Sequence, residues 1–86
     1  MLVTATEARK IADEVRKAGR VSKTELVLER DKMEEFDYIS QVIEHEYNLG
    51  KIECDFDFSI SDRSAEILKS FLYIVHREGG ITIVGW

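Results

Sequence analysis

Cys54, His45 and His76 are the side chains whose chemistry could serve a nucleophile or a general acid–base pair, and nothing in their spacing brings them together. A cysteine becomes reactive when a neighbouring base or cation stabilises its thiolate. Cys54 falls instead among alternating apolar residues, where a free cysteine behaves as a small hydrophobe. The two histidines lie in different segments. To hold a metal from a helix, His45 would need ligands one turn away, but those places are taken by Gln41, Val42, Asn48 and Leu49. No G-x-S-x-G elbow, phosphate loop or dinucleotide fingerprint is present, and Gly79-Gly80 signals only a turn. These residues lead to the expectation of a binding protein rather than an enzyme, without metal or cofactor.

Carboxylates supply the other candidate chemistry. Asp55, Asp57, Ser59 and Ser61 stand at alternate positions with Glu66 at the twelfth, which imitates a calcium-binding loop. The imitation fails at Ile60, where the sharp turn needs glycine, and Phe56, Phe58 and Ile60 call for extended chain. Glu53, Asp55 and Asp57 then point one way at intervals of about 7 Å. Such a row resembles phosphates along a nucleic-acid strand and could meet a basic partner. The competing reading is that charge on a strand's outer face keeps the sheet soluble and discourages edge pairing. Glu44 and Glu46 extend the acidity onto the preceding helix. Glu53, Asp55, Asp57, Glu44 and Glu46 are thus the candidate partner-binding residues.

The elements that must position these groups follow from periodicity. Over 4–18, Thr4 with Glu7 forms a capping box, Ala8, Ile11 and Val15 share one face, and Gly19 is placed to end the helix. A second box at Ser22 and Glu25 opens a longer helix over 22–48, which could merge with the first. Its stripe is Leu26, Met33, Phe36, Ile43 and Tyr47, at spacing suited either to the core or to a seam between subunits. Over 51–60 apolar and polar residues alternate strictly, the pattern of a strand with one acidic face. A short capped helix over 61–72 follows, then a hairpin with strands at 73–77 and 81–86 around Gly79-Gly80. In an alternative, that helix continues to Arg77 and leaves two strands. The fold class is α+β: one domain over 1–86, helical over about 4–48, then a β-α-β-β unit whose small antiparallel-type sheet packs on a helix.

With 86 residues the chain buries a small core, so association would add stability, and a homo-oligomer through Leu26, Met33, Phe36, Ile43 and Tyr47 is expected. Net charge is −5, with pI about 5.0, which disfavours general affinity for nucleic acid or anionic membrane. One cysteine, no apolar run long enough to cross a bilayer and no signal-peptide pattern fit a cytoplasmic protein.

The segments Thr4-Ala5-Thr6-Glu7-Ala8-Arg9, Tyr73-Ile74-Val75 and Ile81-Thr82-Ile83-Val84-Gly85-Trp86, with the strand and helix between them, resemble small accessory proteins of tailed bacteriophages. Gly85 intervenes before the tryptophan, and Leu72 stands where glycine is usual. The resemblance implies a phage protein acting in a bacterial host, in a group that includes inhibitors of host defence enzymes. The expected function is to bind and inhibit, or otherwise modulate, a host protein. One alternative is an oligomeric assembly protein. Another is a sponge for a small anionic nucleotide, held by Arg9, Lys10, Arg16, Lys17 and Arg20.

Overall fold

The computed structural model describes residues 2–19 and 26–86, with elements α1 (Ala5–Ala18), α2 (Glu35–Asn48), β1 (Glu53–Phe56), α3 (Asp62–Ser70), β2 (Ile74–Glu78) and β3 (Ile81–Gly85). The class is α+β, as the periodicities predict.

Thr4 caps α1, its hydroxyl accepting from the Glu7 N–H at 3.4 Å, and Gly19 closes it at φ 64°. Its inner face is Ala5, Ala8 and Ala12, all buried, and side chains this small let α1 lie close on α2. Gly50 shares in that approach. It has φ 83°, and a Cβ there would stand 2.9 Å from Arg16 Cγ.

The long helix expected over 22–48 starts at Glu35 instead. The capping box at Ser22 and Glu25 lies outside the described residues. Residues 26–29 are not helical, Arg30–Lys32 makes a single 3₁₀ turn, and Met33 is extended. Merger with α1 is therefore ruled out. Two forces outweigh the helical pattern of 26–34. The Arg30 guanidinium lies 3.6 Å from the Phe58 ring centre and 3.5 Å from Asp57, which holds the segment in a turn. Glu34, Glu35 and Asp37 concentrate negative charge where a helix N-terminus favours it. Within α2, Ile39, Ile43 and Tyr47 form the buried stripe.

β1 is shorter than the alternation over 51–60 predicts. Beyond Phe56 the chain leaves the ladder, and Thr82 takes over. Its buried hydroxyl donates to the Phe58 carbonyl at 2.8 Å and accepts from the Ile60 N–H at 3.1 Å. Ser61 caps α3. The helix ends before Arg77, correcting the two-strand alternative. Leu72 adopts φ 71°, with its N–H bonded to the Lys69 carbonyl and that of Tyr73 to Leu68. This is the left-handed C-terminal turn that glycine usually supplies. Gly79 and Gly80, both at positive φ, turn β2 into β3.

The sheet order is β1-β3-β2, antiparallel throughout, so β1 and β2 run parallel with α3 crossing between them. Cys54, Phe56, Thr82 and Val84 face inward. Cys54, Phe56 and Val84 join one core with Ile39 and Ile43 of α2 and Ala65 and Leu68 of α3. Trp86 closes one end of it, edge-to-face with Tyr47 and Tyr73. Among the described residues, no helix is long and apolar enough to cross a membrane.

Candidate functional site

Because side chains alternate along a strand, every inward residue of this sheet leaves an outward neighbour. The outward set forms a grid fixed by register. Glu53, Gly85 and Ile74 make one row, Asp55, Ile83 and His76 the next, and Ile81 with Glu78 a third. Ile74 is 73% exposed and Ile81 46%, while Ile83 and Gly85 are half-buried. An acidic margin on β1 therefore borders an apolar centre on β3 and β2, and His76 Nε2 lies 2.9 Å from Glu78 Oε2 on the far side.

The five candidate acids are divided by the fold. Glu53 and Asp55 stand together on the open face, two residues apart on one strand, and neither has an ion-pair partner within 4.0 Å among the described residues. Asp57 lies past the end of β1 and turns to Arg30. Glu46 is held at 2.8 Å by Lys51 and is mostly covered. Glu44 is exposed on α2, which packs against the inward side of β1. The acidic part of the open sheet face is thus Glu53 and Asp55, with Glu78 across the sheet, while Asp57 and Glu44 are exposed away from it.

The oligomer stripe is divided as well. Ile43 and Tyr47 lie in the chain's own core at 0% and 4% exposure, because α2 must cover β1. Phe36 is half-buried against the same core, Met33 is half-buried off the helix, and Leu26 is exposed. These five residues do not form one continuous outer seam.

The groups with nucleophile or metal potential are equally separated. Cys54 is buried, and its thiol is pushed up to about 12 by burial first and then by Glu46, Asp55 and Glu53, so it stays protonated at neutral pH. Among the described residues, no three of His, Cys, Asp and Glu converge to hold a metal ion. On α1, Arg9 and Arg16 both pair with Asp13, while Arg20 lies outside the described residues.

One polar cluster carries no local sequence signal. Glu35, at the start of α2, accepts at Oε1 from the Ser61 N–H at 3.0 Å, the Ser61 hydroxyl at 2.8 Å and the Ser64 hydroxyl at 2.7 Å. Its partners lie 26 and 29 residues away, beyond the reach of any capping pattern. Burial raises its pKa, but those hydrogen bonds and the charge of Arg30 outweigh burial, and the net shift is downward from 4.5. A carboxylate lowered in this way is a poor base toward a serine, so the cluster acts as a clamp between two helix starts.

A carboxylate whose pKa is lower folded than unfolded adds stability that is complete above the unfolded value and lost as pH falls through the folded one. Glu35→Gln is expected to cost about 1 kcal/mol at neutral pH, the size of a lost helix cap. It should also flatten the decline of Tm below pH 4.5. Thermal unfolding at stepped pH checks both, and parallel profiles for the two proteins would exclude the clamp from acid sensitivity.

Comparison of the chain with protein-family models, curated proteins and solved structures found no match. The site is accordingly defined by its geometry: an open, acid-edged sheet face on a helix-backed sheet.

Proposed function

We propose that the protein is a small acidic protein-binding module, encoded by a phage and acting in the cytoplasm of a bacterial host, that binds a host protein such as a defence enzyme and inhibits or modulates it. The observation that carries this reading is the pair Glu53 and Asp55, exposed on the sheet's open face and without ion partners there among the described residues. Exposed carboxylates outside close ion pairs keep most of their field for a partner. The resemblance to phage accessory proteins supplies the setting.

The reading is tested with Glu53→Lys/Asp55→Lys, a substitution at exposed strand positions that leaves the core intact. Wild type should retain a specific protein from bacterial lysate, identifiable by mass spectrometry, and change that protein's activity when mixed with it pure. The double variant should lose at least about 90% of the retention, since reversed charges at close contacts cost several kcal/mol. Equal retention by both would remove the acidic pair from the function.

A further inference from the structure

Gly85 ends the central strand of the open face, in its first row, and its glycine is not required by the backbone. Its φ is not positive, and an added Cβ would meet only ordinary contacts, Ile52 O at 3.9 Å and Ile74 Cβ at 4.0 Å. Glycine inside a strand weakens it and often marks a close approach by a ligand or another backbone. Here it leaves a notch between Glu53 on β1 and Ile74 on β2 in one row of the sheet. The next row sets half-buried Ile83 between Asp55 and His76. Apolar surface held outward in this way adds little to the fold, and contiguous apolar surface with a polar rim marks an interaction site.

Charge decides between occupants. The face carries Glu53, Asp55 and Glu78, against one histidine already in contact with Glu78. Of the nearby cations, Arg16 pairs with Asp13, and Lys51 pairs with Glu46 while also feeling the charge of Asp55, so three acids still outnumber the cations on this face. A second copy laid on this face would oppose like charges, which costs free energy. A cationic segment would meet opposite charges.

We propose that the open sheet face docks an amphipathic cationic segment of its protein partner, seating an apolar side chain in the Gly85 notch beside Ile74 and Ile83 and setting lysine or arginine against Glu53 and Asp55. The proposal rests on the reading of that acidic pair as contact residues and adds the apolar half of the recognition.

The probe is the peptide Lys-Val-Lys-Val-Lys, titrated into the ¹⁵N-labelled protein, with Lys-Lys-Lys-Lys-Lys and Glu-Val-Glu-Val-Glu as controls. The alternating cationic peptide should bind at least about tenfold tighter than pentalysine, with shifts centred on Glu53, Asp55, Ile74, Ile83 and Gly85, and the acidic peptide should not bind. Gly85→Ala fills the notch, and Ile74→Lys puts a cation on an exposed position. Both should fold, as their undisturbed core resonances would show, and both should weaken binding by about tenfold. Equal affinity for pentalysine, shifts centred on other acids, or wild-type binding by both variants would overturn the proposal. The lysate experiment separates this failure from the broader one. If Glu53→Lys/Asp55→Lys abolishes retention while Gly85→Ala and Ile74→Lys keep it in full, the apolar half falls and the acidic reading stands. If all three variants retain the partner, both fall.

Discussion

Thr82→Val is expected to lower stability by about 2–4 kcal/mol, a large fraction of what a small domain possesses. The replacement keeps the shape and removes only the hydroxyl. Thr82 is completely buried, and its Oγ1 both donates to the Phe58 carbonyl and accepts from the Ile60 N–H. Beyond Phe56 the strand ladder has ended, so these two bonds hold the stretch that brings Ile60 into the core and Ser61 to its capping position. Without the hydroxyl, a buried N–H and a partly buried C=O lose their partner, at about 1–3 kcal/mol each. At about 4–8 °C per kcal/mol for a chain this size, Tm should fall by roughly 10–25 °C. Thr82→Ser, which keeps the hydroxyl and loses a methyl group, should lose about 1 kcal/mol. A valine variant as stable as the serine variant would show that the hydroxyl does not hold this connection.

Thr82 also marks the limit of what the sequence displays. The alternation over 51–60 identifies the strand and its two faces, since an inward and an outward side chain at every step is a local property. It cannot show that the ladder stops at Phe56, because that depends on a hydroxyl 24 residues from Phe58. The same division holds for the candidate site. Glu53 and Asp55 are legible as neighbours on one face, while Asp57 obeys the same parity and is drawn to Arg30 by a contact 27 residues away. Thr4, Gly19 and Ser61 act within one helical turn and are readable. Glu35 caps a helix to which it does not belong, so no spacing announces it. Gly85 reads as a break in a terminal motif, and its position opposite Glu53 and Ile74 appears only once the strand order β1-β3-β2 is known. Glu34, Glu35 and Asp37 carry the local mark of a helix N-terminus at the start of α2, while the apolar spacing through Leu26 and Met33 extends the helical pattern past it.

Ile43→Ala is expected to destabilise the fold of each chain rather than weaken a contact between chains. Ile43 is spaced equally well for a core or for a seam between helices, and those alternatives differ in what its removal does. In a seam, truncation would weaken an oligomer and leave each subunit folded. In the structure, Ile43 is completely buried between Ile39 and Tyr47 on the face of α2 that covers β1. Truncation there removes buried methyl and methylene groups and leaves a cavity that the sheet behind it cannot close. The cost for such a change is about 2–5 kcal/mol. Tm should fall by roughly 10–40 °C, and the loss should be the same at every protein concentration. Leu26→Ala, at a partly exposed position outside any helix, should cost less than about 1 kcal/mol. Thermal unfolding across a hundredfold range of concentration, with light scattering on the same samples, reads both quantities. If Ile43→Ala kept wild-type Tm and changed only the mass in solution, α2 would be an intersubunit helix, and its buried stripe would have to be assigned to a partner subunit. If Tm falls without change of mass, the inward face of α2 is committed to its own sheet. That result would leave the face carrying Glu53, Asp55 and Gly85 as the outward surface of that sheet still open to a partner.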